Sequence, residues 1–281
     1  MKLTILRILI VANLLALLAT LFYESRGIIF IDQRAHWHIS LYAHKDLSEV
    51  DNIVHVGSGL LIATLELKNK GRVVAVDPKG KVKTILSRLN RPDGLMVYKR
   101  RYIYFTQEVM DGAVIRYDLV NKKKELLFKI RNPEGLDRLK NGDLIVGEDL
   151  MRGNVYRVGA DNKKHILISN LSRPEGLCVA IDGAIYIAET ARNRVIKWKN
   201  KKLTVVVRGL NEPDQVECHV DGSVWISEDA RSGRVFRFYN NKLFLIADNL
   251  SKPQGIAFAP YGVVFVAEQG KHRILKLTYK K

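Results

Sequence analysis

Past residue 50 the chain repeats one pattern of apolar and polar positions. Runs such as Ala184-Ile185-Tyr186-Ile187-Ala188 and Val263-Val264-Phe265-Val266-Ala267 are continuous, β-branched and aromatic, as strands covered on both faces are. Polar pairs that suit tight hairpins precede the equivalent runs: Asn141-Gly142, Asp182-Gly183 and Asp221-Gly222. Within one copy the pattern predicts four short strands, Leu177–Ala180, Ala184–Glu189, Arg194–Lys199 and Leu203–Arg208. No helical period of useful length follows residue 30.

A short phrase opens each copy. It reads Arg91-Pro92-Asp93-Gly94-Leu95, Asn132-Pro133-Glu134-Gly135-Leu136, Arg173-Pro174-Glu175-Gly176-Leu177, Glu212-Pro213-Asp214-Gln215-Val216 and Lys252-Pro253-Gln254-Gly255-Ile256. The prolines lie 41, 41, 39 and 40 residues apart, and a degenerate copy, Val50-Asp51-Asn52-Ile53, begins 42 residues before Pro92. Six four-stranded units of about 40 residues predict an all-β, six-bladed propeller. The sixth copy ends after three strands, near Arg273–Thr278. Trp37-His38-Ile39-Ser40-Leu41-Tyr42 resembles a fourth strand, so residues 37–43 are expected to complete the last blade and remove an open sheet edge. The His36-Trp37-His38 run then reads as alternating strand positions in preference to a metal motif.

The amino terminus differs. Ile8 to Tyr23 runs sixteen residues with only Asn13 and Thr20 as polar interruptions, behind Lys2 and Arg7. The expected organisation is a signal anchor and linker over 1–30 and a propeller over 31–281. An uncleaved anchor, a cleaved signal peptide and an amphipathic helix are the three readings of residues 8–23. Basic residues before the apolar stretch place the remainder outside the cytoplasm, membrane-anchored in the first reading and secreted or periplasmic in the second.

The chain of 281 residues carries 46 Lys and Arg against 29 Asp and Glu, a formal net charge of +17. Such an excess favours anionic surfaces. With an extracytoplasmic propeller, lipid headgroups are expected and nucleic acid is not. Lys99-Arg100-Arg101, Lys79, Lys81, Lys122-Lys123-Lys124, Lys163-Lys164, Lys199, Lys201-Lys202 and Lys242 fall in the turns joining strands one to two and three to four. These turns lie on one face, which is expected to look toward anionic lipid. The two cysteines, Cys178 and Cys218, match no zinc spacing and are expected as buried free thiols.

The residue after each proline opens an innermost strand, so Asp51, Asp93, Glu134, Glu175, Asp214 and Gln254 should surround one axis. Like charges in one small site raise each other's pKa unless a cation neutralises them. Ca²⁺, which takes six to eight oxygens, suits such a ring. The competing reading is that each carboxylate caps its own turn or pairs with a nearby Arg. Glu148, Glu189, Glu228 and Glu268, with Gln107 and Thr64 in the other copies, form a second set. Cross-strand pairing with Arg194, Arg234 and Arg273 explains it. His55 and His219, on innermost strands, are the candidate general bases; a structural histidine is the competing reading of each.

The Pro-Glu-Gly-Leu, Asp-Gly-Ala-Ile-Tyr-Ile-Ala-Glu-Thr and Asn-Arg-Val phrases resemble six-bladed propellers of the senescence-marker-protein/gluconolactonase superfamily, which includes paraoxonase-like and strictosidine-synthase-like proteins and has blades close to NHL repeats. The resemblance covers residues 36–281. It implies a metal-dependent hydrolase of lactones or esters, with Asp51, Glu134, Glu175 and Asp214 in the ligand positions and Asp93 and Gln254 lining the channel. Glu134 and Glu175 stand where the family pattern has asparagines. A non-catalytic propeller that binds a ligand or protein partner, and a strictosidine-synthase-like activity, are the alternatives.

Overall fold

A computed structural model describes residues 28–280. The apolar segment 8–23 lies outside the described residues. Among those described, no helix is long and apolar enough to cross a membrane.

The repeats fold as six antiparallel sheets around one axis. The innermost strands are Val50–Gly57, Pro92–Tyr98, Pro133–Arg138, Pro174–Val179, Pro213–Cys218 and Pro253–Ala259. Each blade then steps outward through three more strands. Trp37–Ala43 supplies the outer strand of blade six, pairing with Arg273–Tyr279 from Trp37↔Tyr279 to Ala43↔Ile274. This is the closure expected from the missing fourth strand. One strand was not foreseen: Ile29–Asp32 adds to blade five, parallel to Lys242–Leu250, with Ile29 opposite Lys242. It straddles the boundary drawn at residue 30.

The core is divided among the blades. Six apolar clusters each join one blade's face to the next. Phe105, for example, packs with Ile62 and Val73 of blade one, while Ile187 packs with Ile145 and Val155 of blade three. Second strands are therefore covered on both faces, which is why their sequences are continuous apolar runs and do not alternate.

At the axis the blades meet backbone to backbone. A Cβ added to Gly94 would come within 1.9 Å of the Glu134 carbonyl oxygen, and one added to Gly135 within 2.3 Å of the Glu175 oxygen. The glycine of the repeated phrase is thus a close-approach residue. The residue before each proline, and Glu49 before Val50 in the degenerate copy, is left-handed although never glycine: Glu49, Arg91, Asn132, Arg173, Glu212 and Lys252 have φ of 40–52°. Each is fixed from two sides. In blade two, Arg91 donates its N–H to Leu67 of blade one at 3.2 Å and accepts the Glu108 N–H at 2.9 Å. Asn132 and Arg173 repeat this arrangement.

The free-thiol expectation is corrected. Cys178 and Cys218 form a disulfide, with Cα atoms 5.5 Å apart. Neighbouring innermost strands do not hydrogen-bond to each other, but convergence on the axis brings their Cα atoms into bonding range.

Candidate functional site: an acidic mouth on the axis

The chain enters every innermost strand at the same end of the channel, so the residues after the prolines gather there. Asp51, Asp93, Glu134, Glu175 and Gln254 are all buried, and Asp214 is partly so. The ring splits into groups. Carboxylate oxygens of Glu134, Glu175 and Asp214 lie within 4.8 Å of one another. Asp51 instead groups with Asp93 and Glu66. Three of the four residues in the expected ligand positions therefore converge, and the fourth sits with a different set.

A second ring surrounds the first, and sequence reading missed it. Pro92 pairs with Gln107, Pro133 with Glu148, Pro174 with Glu189, Pro213 with Glu228 and Pro253 with Glu268; Val50 pairs with Leu65, so Thr64 is out of register. The next residue of each copy reaches the mouth: Glu66, Glu108, Asp149, Thr190, Asp229 and Gln269. Glu108 and Asp149 also group with Glu134. The signal was available one residue beyond the set already noted.

That earlier set is structural, as expected. Glu189 accepts from Arg194 at 2.6 Å and from the Ser172 N–H at 3.0 Å. Glu228 holds Arg234 at 2.6 Å and the Asn211 N–H at 2.7 Å, and Glu268 holds Arg273 and the Ser251 N–H. Glu148 departs, accepting from Asn154 at 2.9 Å.

Partners within the mouth are few. Arg91 bridges Glu66 and Glu108. Arg173 bridges Asp149, at 3.0 Å, and Glu175. Thr190 donates to Glu175 at 2.5 Å, Gln269 to Asp51 at 2.9 Å, and Gln254, with its amide turned, to Asp214 at 2.6 Å. Burial raises the carboxyl pKa values of Asp51, Asp93, Glu134 and Asp214 well above their ordinary range, and neighbouring carboxylates add to it. Burial pushes Glu108 up to about 9, reinforced by Asp93 and Glu66, and Glu175 up to about 7. The mouth gathers more carboxyl groups than Arg91 and Arg173 pair.

The two histidines lie elsewhere. His55 is at the far end of its strand, about 13 Å from Asp51 at strand rise. Its Nε2 accepts the Gly59 N–H at 3.2 Å, and burial, with Arg100 nearby, lowers its pKa. His219 follows the blade-five inner strand, 2.9 Å from Asp221. It lines a separate cavity of about 210 Å³ with Trp37, Trp225, Phe258 and Arg237. His36 sits in a short turn, stacked on Tyr279.

None of the family models compared matches the sequence, and neither does any curated protein. Solved structures do. A gluconolactonase from Xanthomonas campestris superposes with a TM-score of 0.73 at 15% identity, covering 86% of this chain and 90% of that one. The fold is that of the gluconolactonase-type propellers. Virginiamycin B lyase from Staphylococcus aureus gives 0.65 at 14% identity, covering 86% and 99%. An auxiliary nutrient binding protein from Bacteroides thetaiotaomicron gives 0.70 at 13%, covering 87% and 77%. At these identities the likeness is one of fold, which hosts several chemistries.

Proposed function

We propose that the protein is a divalent-metal-dependent hydrolase of lactones or esters, held at a membrane with its propeller outside the cytoplasm. The observation that carries the reading is the convergence of Glu134, Glu175 and Asp214 in a buried mouth short of cations. An all-oxygen donor set of this kind fits Ca²⁺. Those three residues would hold the ion. When bound it supplies a Lewis acid for a substrate carbonyl. Around it, Arg91 and Arg173 orient the second-ring carboxyls. Glu108 carries a proton at neutral pH and is the donor to the leaving alkoxide. Asp149, fixed by Arg173 and by Asn132 at 3.0 Å through its backbone carbonyl, accepts the proton of the attacking water.

Two features support the membrane placement. Ile29 and Phe30 are exposed at 57% and 56%, where the chain arrives from the apolar segment, beside Lys242 on the basic hairpin side. The Cys178–Cys218 disulfide suits an oxidising compartment.

The test is elemental analysis of the purified chain, followed by assay of a lactone and ester panel with Ca²⁺ or a chelator. Calcium-dependent turnover lost about 10²–10³-fold in Asp214→Asn supports the reading. A chain that binds no divalent ion overturns it. The second reading, a non-catalytic ligand-binding propeller, draws on the caps that Thr190, Gln269 and Gln254 give to Glu175, Asp51 and Asp214. Metal-independent ligand binding without turnover favours that second reading. The strictosidine-synthase-like alternative would show as condensation when an amine and an aldehyde are supplied in place of the lactones and esters.

A further inference from the structure

The repeated phrase fails at two places, and both failures face one chamber. Blades two, three, four and six carry glycine after the acidic or Gln position, whereas blade one carries Asn52 and blade five carries Gln215. These amides meet across the axis, Asn52 Nδ2 donating to Gln215 Oε1 at 3.4 Å. They are 6% and 8% exposed. Beyond them, away from the acidic mouth, lies a cavity of about 180 Å³. Its walls are apolar, with Val54, Met96, Leu136 and Leu177, and its polar groups are Asp137, Glu217 and the two amides.

The polar groups are incompletely used. The amide oxygen of Asn52 accepts no hydrogen bond among the described residues. Glu217 receives only a long contact from Gln215, at 3.5 Å. Asp137 accepts the Val179 and Arg138 N–H groups at 2.6 and 2.7 Å but has no cationic partner. The adjacent Arg138 guanidinium turns away to stack on Tyr98, 3.9 Å from the ring centroid. Burial holds Glu217 protonated at neutral pH, its pKa raised to about 8, while Asp137, raised to about 6, is largely ionised. A partly buried carboxylate in the chamber wall without a counter-charge, beside an unused amide acceptor and a slim apolar wall, matches an alkylammonium group.

We infer that this chamber is a binding site for a small organic ammonium ion, its cationic head on Asp137 and Asn52 and its alkyl part against Met96 and Leu177. The site is separate from the metal reading of the mouth and does not depend on it.

The experiment is calorimetric and NMR titration of the folded chain, in saturating Ca²⁺, with n-butylammonium, n-butanol and butyrate. Only butylammonium is expected to bind. Asp137→Asn should weaken it at least about tenfold, and Met96→Phe, which fills the chamber, should weaken it as well. Asp93→Asn in the mouth should leave it unchanged. Equal binding of butanol, no loss in either chamber variant, or a loss confined to Asp93→Asn would each overturn the inference. Circular dichroism melts establish that each variant is folded; if Asp137→Asn is not, Met96→Phe and the butanol comparison decide.

Discussion

The two ends of the propeller's axis are made from the same repeat and differ in almost everything else. At the mouth, backbones touch, side chains are buried, and carboxylates crowd together. At the opposite rim, hairpins splay outward and lysines stand in solvent. The difference follows from geometry. Strands that converge on an axis leave room only for glycine at the contact in four of the six copies, with Asn52 and Gln215 in the other two, and gather the preceding side chains at the mouth. Hairpins at the other end are free to carry charge, and the net +17 of the chain coexists with an acidic channel. Net charge alone therefore misrepresents the surface a ligand on the axis would meet.

Substitution of matched glycines breaks the comparison most severely. Gly94→Ala at the mouth drives a Cβ against the Glu134 carbonyl and should cost about 3 kcal/mol or more. Gly183→Ala at the rim meets nothing within 4 Å and carries only the strain of its φ of +78°, about 1–2 kcal/mol. Urea melts of the two variants measure the contrast. Similar losses would mean that the blades do not touch at the axis.

The disulfide is next. It closes a 40-residue separation between blades four and five, and the Cys178→Ser, Cys218→Ser double variant should lose about 2–4 kcal/mol. Reductant should bring the parent protein to the same urea midpoint, and no shift on reduction would show the bridge to be absent in solution.

The mouth also predicts a pH dependence of definite sign. Its carboxyls have folded-state pKa values above the unfolded ones, so the folded state binds more protons. Stability from these groups is complete below about pH 4 and is lost as pH rises through their folded values, including about 7 for Glu175 and about 9 for Glu108. Without divalent ions the melting temperature should fall between pH 5 and 9. Asp93→Asn should flatten the fall, and Ca²⁺ should oppose it. A rise over that range would contradict the burial of the ring.

The smallest effect on stability belongs to the rim. Changing Lys122, Lys123, Lys124, Lys201 and Lys202 to Glu should move stability by no more than about 0.5 kcal/mol per site while reducing binding to anionic vesicles. Each lysine near such a surface contributes on the order of 1 kcal/mol, fading within a Debye length. Unchanged vesicle binding would remove the membrane role of this face.

What sequence alone determined was whatever repeats. The spacing of Pro92, Pro133, Pro174, Pro213 and Pro253 counts the blades, the continuous runs mark strands covered on both sides, and the absent fourth strand points to Trp37–Ala43 as the closure. Local chemistry written six times is legible because each copy corroborates the others. What only tertiary structure decided was which copies meet. Asp51 joined Asp93 and Glu66 rather than Glu134, His55 and His219 fell away from the mouth, and Cys178 found Cys218, because distances across an axis are set by twist and convergence. The second ring was present in the sequence as one more register of the repeat, and the Asn52–Gln215 pair as departures from it. Their meaning waited on the fold, since a departure shows what it does only when its neighbour from another blade is known.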